Sequence, residues 1–326
     1  MKLQRTGTVL VALLSASGAV ADTQSTLHTQ QECMGRKALD AAADTTVGQL
    51  REQCEAEQEA LQSTSLLAQR FTREKQAQDN PFVITPHKPN YILPVSYAEN
   101  INDEAWKQVT GDDDPLEDYE AKFQLSLKVP MNSDDLFVEG DALYFGFTLQ
   151  AYWQVYNGNY SAPFRETNYQ PELFYMMPLN FKLFGGDTAF GVGIEHQSNG
   201  RGGSISRSWN RAYSSLLWSN DNLVMGLRPW YRFEEDEEDD DNPDIDDYLG
   251  HFEYTFAYRW EDLVFSGMAR RNFDEGNGAF QAGLSFPLYG RLKGYIQYFN
   301  GYGESLIDYD RDVERIGVGV LLTDLM

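Results

Sequence analysis

From about Asn90 onward, apolar and polar residues alternate with a period of two. Leu143, Phe145, Phe147, Leu149, Ala151 and Trp153 share one parity, and Tyr144, Gly146, Thr148, Gln150 and Tyr152 the other. Leu223, Met225 and Leu227 alternate with Val224, Gly226 and Arg228, and Trp230 and Arg232 continue the second set. Phe252, Tyr254, Phe256 and Tyr258 alternate in the same way with His251, Glu253, Thr255 and Ala257. Successive side chains of a strand point to opposite faces, so this pattern predicts strands with one apolar and one more polar side. Such segments fall near 90–97, 119–129, 141–156, 164–177, 187–197, 207–218, 222–233, 247–258, 262–272, 278–286, 291–300 and 311–322. Short turns (219–222, 288–291) alternate with longer connections (98–118, 198–206, 234–246, 301–310).

Twelve strands is an even number, and short turns at one end with long loops at the other are the habit of transmembrane barrels. The chain is rich in aromatics, with 19 Tyr, 19 Phe and 6 Trp, although its mean hydropathy is −0.50. Past the N-terminus no run approaches the ~20 apolar residues that a spanning helix needs. The predicted fold is therefore all-β, a twelve-stranded antiparallel transmembrane β-barrel over 81–326. A soluble β-sandwich also alternates and is the competing architecture. Lys2 and Arg5, the apolar stretch Val9 to Val20 and the small-x-small site Ala19-Val20-Ala21 predict an export signal over 1–21. Residues 22–80 are rich in Ala, Gln and Glu, as in the stretch from Val47 to Leu61, and predict a partly helical or mobile periplasmic extension. Cys33 and Cys54 both lie there, an even pair that an exported chain is able to oxidise to a disulfide.

The 50 acidic and 26 basic residues give a net charge of −24. That balance excludes the clustered cations of a nucleic-acid binder. Much of the excess is local, because 234–247 holds eleven acids in fourteen residues. A charge run of this kind usually reads as a solvated external loop.

Chemistry gathers in Gly193-Ile-Glu-His-Gln-Ser-Asn-Gly200 and Ser206-Arg-Ser-Trp-Asn-Arg211. His196 and Ser198 are two apart, so one strand face carries an imidazole and a hydroxyl. Asn210 lies far enough on for an antiparallel return to set its amide beside the same His. A Ser–His pair oriented by a third polar group is the arrangement of acyl transfer. Val192 and Ile194 share parity with His196 and Ser198, which turns the pair toward lipid if the apolar face is outside. Polar residues there are costly without a purpose, and decoration of a strand end is the bland alternative. In the loop between, the backbone N–H of Gly200 is placed to meet an oxyanion. Ser206 and exposed carbonyls are oxygen ligands for a hard cation such as Ca²⁺.

These motifs resemble those of bacterial outer membrane phospholipase A. The resemblance extends to Asp79-Asn-Pro-Phe82, Asn90-Tyr91, Lys122-Phe-Gln-Leu-Ser-Leu127 and Ala162-Pro-Phe-Arg-Glu-Thr-Asn-Tyr169. It continues through Asp241-Asn-Pro-Asp-Ile245, Gly250, Gly301-Tyr-Gly-Glu-Ser-Leu-Ile-Asp-Tyr309 and Val318-Gly-Val, covering most of 79–326. It implies an outer-membrane barrel that hydrolyses acyl esters of phospholipids and lysophospholipids with Ca²⁺ and acts as a homodimer. By position, it makes Ser198 the nucleophile, His196 the base, Asn210 the residue that orients the imidazole and Gly200 the oxyanion-hole glycine. It assigns the catalytic Ca²⁺ to Ser206, the carbonyl of Arg201 and Ser161 of the partner subunit, and ties Asp241 to an additional Ca²⁺ site. Where relatives can carry an acid in the Ca²⁺ loop, this chain has Gly203, and it ends in Met326 where an aromatic is common. A non-enzymatic outer-membrane pore and a lipopolysaccharide acyl hydrolase are the alternative readings.

Overall fold

In the computed structural model, the described residues are 31–323, apart from 32, 36, 40, 42–44, 63–64, 79–83, 114, 237, 239 and 291. The export signal expected over 1–21, the motif segment Asp79-Asn-Pro-Phe82 and Met326 fall outside them. The chain divides into two compact units after Ser63. In the first, Cys33 and Cys54 are joined by a disulfide, and helix α1 spans Val47–Gln62.

The second unit is a closed antiparallel barrel. Its strands are β1 (Asn90–Glu99), β2 (Tyr119–Pro130), β3 (Ala142–Trp153), β4 (Phe164–Leu183), β5 (Gly186–Ser198) and β6 (Ser208–Ser219), followed by β7 (Leu223–Phe233), β8 (Phe252–Trp260), β9 (Leu263–Arg271), β10 (Gly278–Tyr289), β11 (Leu292–Gly301) and β12 (Val313–Thr323). Each strand pairs with its sequence neighbours, and β12 closes on β1 through pairs such as Ile316 with Tyr97. A two-residue strand, Thr85–Pro86, adds beside β2. Closure leaves no open sheet edge, the condition for a sheet to cross a bilayer.

The alternation seen in the sequence becomes inside and outside. Phe145, Leu173, Val192, Ile194, Leu216, Leu227 and Val318 face out and are exposed. Tyr144, Thr148, Tyr152, Trp230 and Arg232, from the opposite parity, are buried. The interior is polar and paired: Arg165 reaches Glu120 at 3.0 Å and Asp308 at 2.8 Å, and Arg315 reaches Glu120 at 2.7 Å and Glu304 at 2.8 Å. Lys122 adds a 2.9 Å contact to Glu304. Buried charges persist when each has partners, because desolvation is then offset by attraction and hydrogen bonding.

Two departures from the sequence pattern matter for the site. The strand expected over 247–258 starts only at Phe252, because Ile245–Leu249 is a short helix, here α4. Ile245 and Leu249, four apart, put their side chains on one helical face and join Trp209, Trp230, Leu306 and Tyr309 in a buried cluster. Gly250, at φ 68°, ends that turn with its N–H bonded to the carbonyl of Asp246. The longer connection expected over 301–310 folds inward, with Glu304, Ser305, Leu306, Ile307 and Asp308 all buried.

Helix α2 (Leu66–Gln78) lies with the barrel at its short-turn end. Leu66 donates its N–H to the carbonyl of Asn220, and the Ser65 hydroxyl donates to Asp187. On the helix, Glu74 is buried and bonded to Arg70 and to Lys128 of β2, each at 2.8 Å. The extension expected over 22–80 thus includes one helix that packs with the barrel. At the long-loop end, α3 (Asp103–Thr110) is capped by the Asn102 side chain, which accepts from the Ala105 N–H. Its Trp106 packs with Ile205 and Ile307.

Candidate active site

Strand pairing brings the predicted residues together at the long-loop end. His196 of β5 lies directly opposite Asn210 of β6, and its Nδ1 is 2.9 Å from the Asn210 Oδ1. Ser198, two residues along on the same face, is the last residue of β5. His196 is exposed, whereas its neighbour Glu195 is buried and paired with Arg211 and Arg228 inside the barrel. The His–Ser face is therefore the outward one, next to the exposed Val192 and Ile194. An amide oxygen only accepts, so Nδ1 carries the hydrogen that faces it, and in the neutral ring Nε2 is then the nitrogen with the free lone pair.

The loop from Ser198 to Ser208 is held by Asn199, a residue with no predicted role. Asn199 is buried; its Oδ1 accepts from the N–H of Arg201 at 3.2 Å and of Arg207 at 3.1 Å, and its amide donates to the Ile205 carbonyl at 2.8 Å. Behind it, Glu166 accepts from Asn199, from Asn168 and from the Ile307 N–H, which links the loop to the inward-folded segment 301–312. Gly200 has φ 65°, the left-handed region that favours glycine, and a Cβ there would stand 3.2 Å from the Tyr169 ring. That conformation turns the chain immediately after Ser198.

Ser206 and Asp241, assigned to separate Ca²⁺ sites by resemblance, touch each other: the Ser206 hydroxyl donates to the Asp241 carboxylate at 2.6 Å. Arg201 belongs to the same loop as Ser206, and its guanidinium donates to the carbonyls of Phe164 and Arg165, each at 2.8 Å. Ser161 sits on a different loop, exposed, with φ 58°. The Ser206 hydroxyl and the Asp241 carboxylate meet, oxygen donors of the kind that suits a hard cation such as Ca²⁺. Among the described residues no group of three His, Cys, Asp or Glu is arranged to hold a metal. A cation here would depend on neutral oxygens and water as well as on Asp241.

The acidic run is more structured than a solvated loop. Asp240 grips Arg232 at 2.7 Å, the fully buried Asn242 accepts from the Ser208 N–H at 3.0 Å, and Asp244 accepts from the Tyr309 hydroxyl at 2.7 Å. Burial and that carboxylate both push the Tyr309 phenol up. Earlier in the run, Glu235 accepts from the Asn210 Nδ2 at 2.9 Å. Nothing in a count of eleven acids distinguishes that one residue.

A model of the phospholipase A1 family matches residues 67–322. The chain is 38% identical to phospholipase A1 of Klebsiella pneumoniae over 253 residues, covering 77% of this chain and 86% of that protein. It is 38% identical to the Escherichia coli (strain K12) protein of the same name, over 77% of this chain and 85% of the other. Among solved structures, outer membrane phospholipase A from Escherichia coli superposes with a TM-score of 0.73 at 36% identity, covering 78% of this chain and 98% of that one. The Salmonella typhi outer membrane phospholipase, a dimer with bound calcium, gives the same TM-score at 35% identity and the same coverage. A twelve-stranded barrel that aligns over nearly the whole length of these structures leaves one assignment: this chain belongs to the phospholipase A1 family of bacterial outer-membrane phospholipases.

Proposed function

We propose that this protein is a Ca²⁺-dependent phospholipase of the outer membrane. It cleaves acyl esters of phospholipids and lysophospholipids at either acyl position, and it acts as a homodimer. The observation that carries this reading is the His196–Asn210 hydrogen bond on the outward face, beside Ser198. A soluble hydrolase would hide such a pair in a cleft; here the substrate is the solvent around the barrel.

Ser198 attacks the ester carbonyl while His196 Nε2 takes the hydroxyl proton. Asn210 holds the opposite edge of the ring. A neutral amide suits that place, since a carboxylate facing lipid carries a desolvation cost. The Gly200 N–H meets the developing oxyanion, and His196 returns the proton to the leaving alcohol; a water deprotonated by the same His196 then cleaves the Ser198 acyl ester, releasing the fatty acid and restoring the serine hydroxyl. Ser206, the Arg201 carbonyl and Ser161 of the partner subunit would hold the catalytic Ca²⁺, with Asp241 serving the same loop. When bound, that ion supplies charge stabilisation to the ester oxygen. An export signal at 1–21 would deliver the chain to this location.

A pore is disfavoured by the interior. Its buried ion pairs, the inward segment 301–312 and α2 occupy the barrel, and a cavity of ≈ 420 Å³ lies among residues of these elements. The test is fatty-acid release from phosphatidylethanolamine micelles with and without Ca²⁺. Ser198→Ala is expected to lower the rate by at least about a thousandfold, and full activity in that variant would sink the mechanism.

A further inference from the structure

The orienting residue is an asparagine, and an asparagine has a weakness that an aspartate lacks. Its amide has an accepting oxygen and a donating NH₂ in nearly the same shape, so it satisfies an imidazole in either orientation. With Oδ1 toward His196, Nδ1 must carry the proton and Nε2 is a base. With the amide flipped, Nδ1 accepts, the proton moves to Nε2, and the ring no longer takes a proton from Ser198. A hydrogen bond is kept in both states, so the His196–Asn210 pair alone does not select the active one.

A second contact breaks the tie. Asn210 pairs with Phe233 at the end of β7, and the chain leaves the strand there. Two residues on, Glu235 Oε1 stands 2.9 Å from Asn210 Nδ2. An ionised carboxylate only accepts. It therefore admits the amide NH₂ and repels the amide oxygen, and the flipped state would set two oxygens against each other. Charge-assisted bonds are among the stronger ones, and Glu235 is half-buried, which limits competition from water.

We infer that Glu235 is a positioning residue for the hydrolysis proposed above: it locks the amide orientation of Asn210 and, through it, the His196 tautomer that acts as base. The inference rests on Ser198, His196 and Asn210 being the catalytic set. It assigns a distinct role to one carboxylate of a run in which Asp240 binds Arg232, Asp241 binds Ser206 and Asp244 binds Tyr309.

The test is a double-mutant cycle read as kcat and KM on phosphatidylethanolamine micelles with saturating Ca²⁺. Glu235→Ala is expected to lower kcat about tenfold with KM unchanged, because tautomer choice affects the chemical step and not binding. Glu235→Gln, whose amide both donates and accepts and so admits Asn210 in either orientation, is expected to lose kcat to a similar extent, about tenfold. Asn210→Asp presents an oxygen to His196 in either orientation, so in that background Glu235→Ala is expected to cost nothing, or to raise kcat by removing a facing carboxylate. A tenfold loss in both backgrounds would show that Glu235 only braces the loop and would overturn the inference. Unchanged kcat in Glu235→Ala, with Ser198→Ala inactive, would overturn it while leaving the hydrolase reading intact. An active Ser198→Ala would remove both.

Discussion

At the residue scale, the site depends on a few atoms whose neighbours fix their direction. Gly200 is one: its positive φ and the nearby Tyr169 ring leave no easy room for a side chain. Gly200→Ala is expected to lower kcat at least about tenfold with the barrel still folded, as checked by lipid hydrolysis alongside heat-dependent gel mobility. Asp141 makes a different case, at the short-turn end before β3. Burial pushes its pKa up, but the Tyr175 hydroxyl and the N–H groups of Val138, Leu136 and Phe137 outweigh this and hold it at about 2, against 3.8. A carboxylate held below its unfolded value stabilises the fold fully above that value and loses the contribution as pH falls through the folded one. The difference in unfolding temperature between the parent and Asp141→Asn is therefore expected to be largest above pH 4 and to shrink toward pH 2. His196 and Ser198 were legible because two positions on one strand share a face. Glu235 was not, because its partner lies on another strand and its own neighbours look alike.

At the element scale, strands were readable and their connections were not. A period of two is set by local backbone geometry, so each strand declared itself from its own residues. Whether a connection faces solvent depends on what receives it. The segment 301–312 folds inward because Glu304 finds Lys122 on β2 as well as Arg315 on the strand that follows, and Asp308 finds Arg165 on β4; Lys122 and Arg165 are distant in sequence. Helix α2 follows the same logic. Its composition predicts helix, but its sequence does not show that Lys128 on β2 joins Arg70 in pairing a buried Glu74. Glu74→Ala removes the carboxylate shared by Lys128 and Arg70, and is expected to destabilise the refolded barrel by about 3 kcal/mol, measured by chemical denaturation in detergent. Replacing the pair together, Glu74→Leu with Lys128→Met, is expected to cost less than the single change, since the buried Lys128 charge goes with its carboxylate and the partly exposed Arg70 keeps the carbonyls of Pro86 and His87.

At the scale of the whole molecule, the closed sheet turns parity into two environments. Val318, in the middle of β12, is more than half exposed on the outer face, while Gln297 of the adjacent β11 is buried within. Val318→Arg is expected to cost about 2–4 kcal/mol on folding into lipid vesicles, and an unchanged folding equilibrium would contradict the bilayer-facing assignment. The amino-acid sequence by itself determined the twelve strands, their apolar and polar sides, and the local pair of His196 with Ser198. Each of these is a relation among residues a few positions apart. The tertiary structure decided which segments fill the interior, that Asn199 and Glu166 tie the site loop to the segment 301–312, and that Glu235 faces Asn210. Those contacts join residues whose separation along the chain says nothing about their distance in space, and only barrel closure and strand register bring them together.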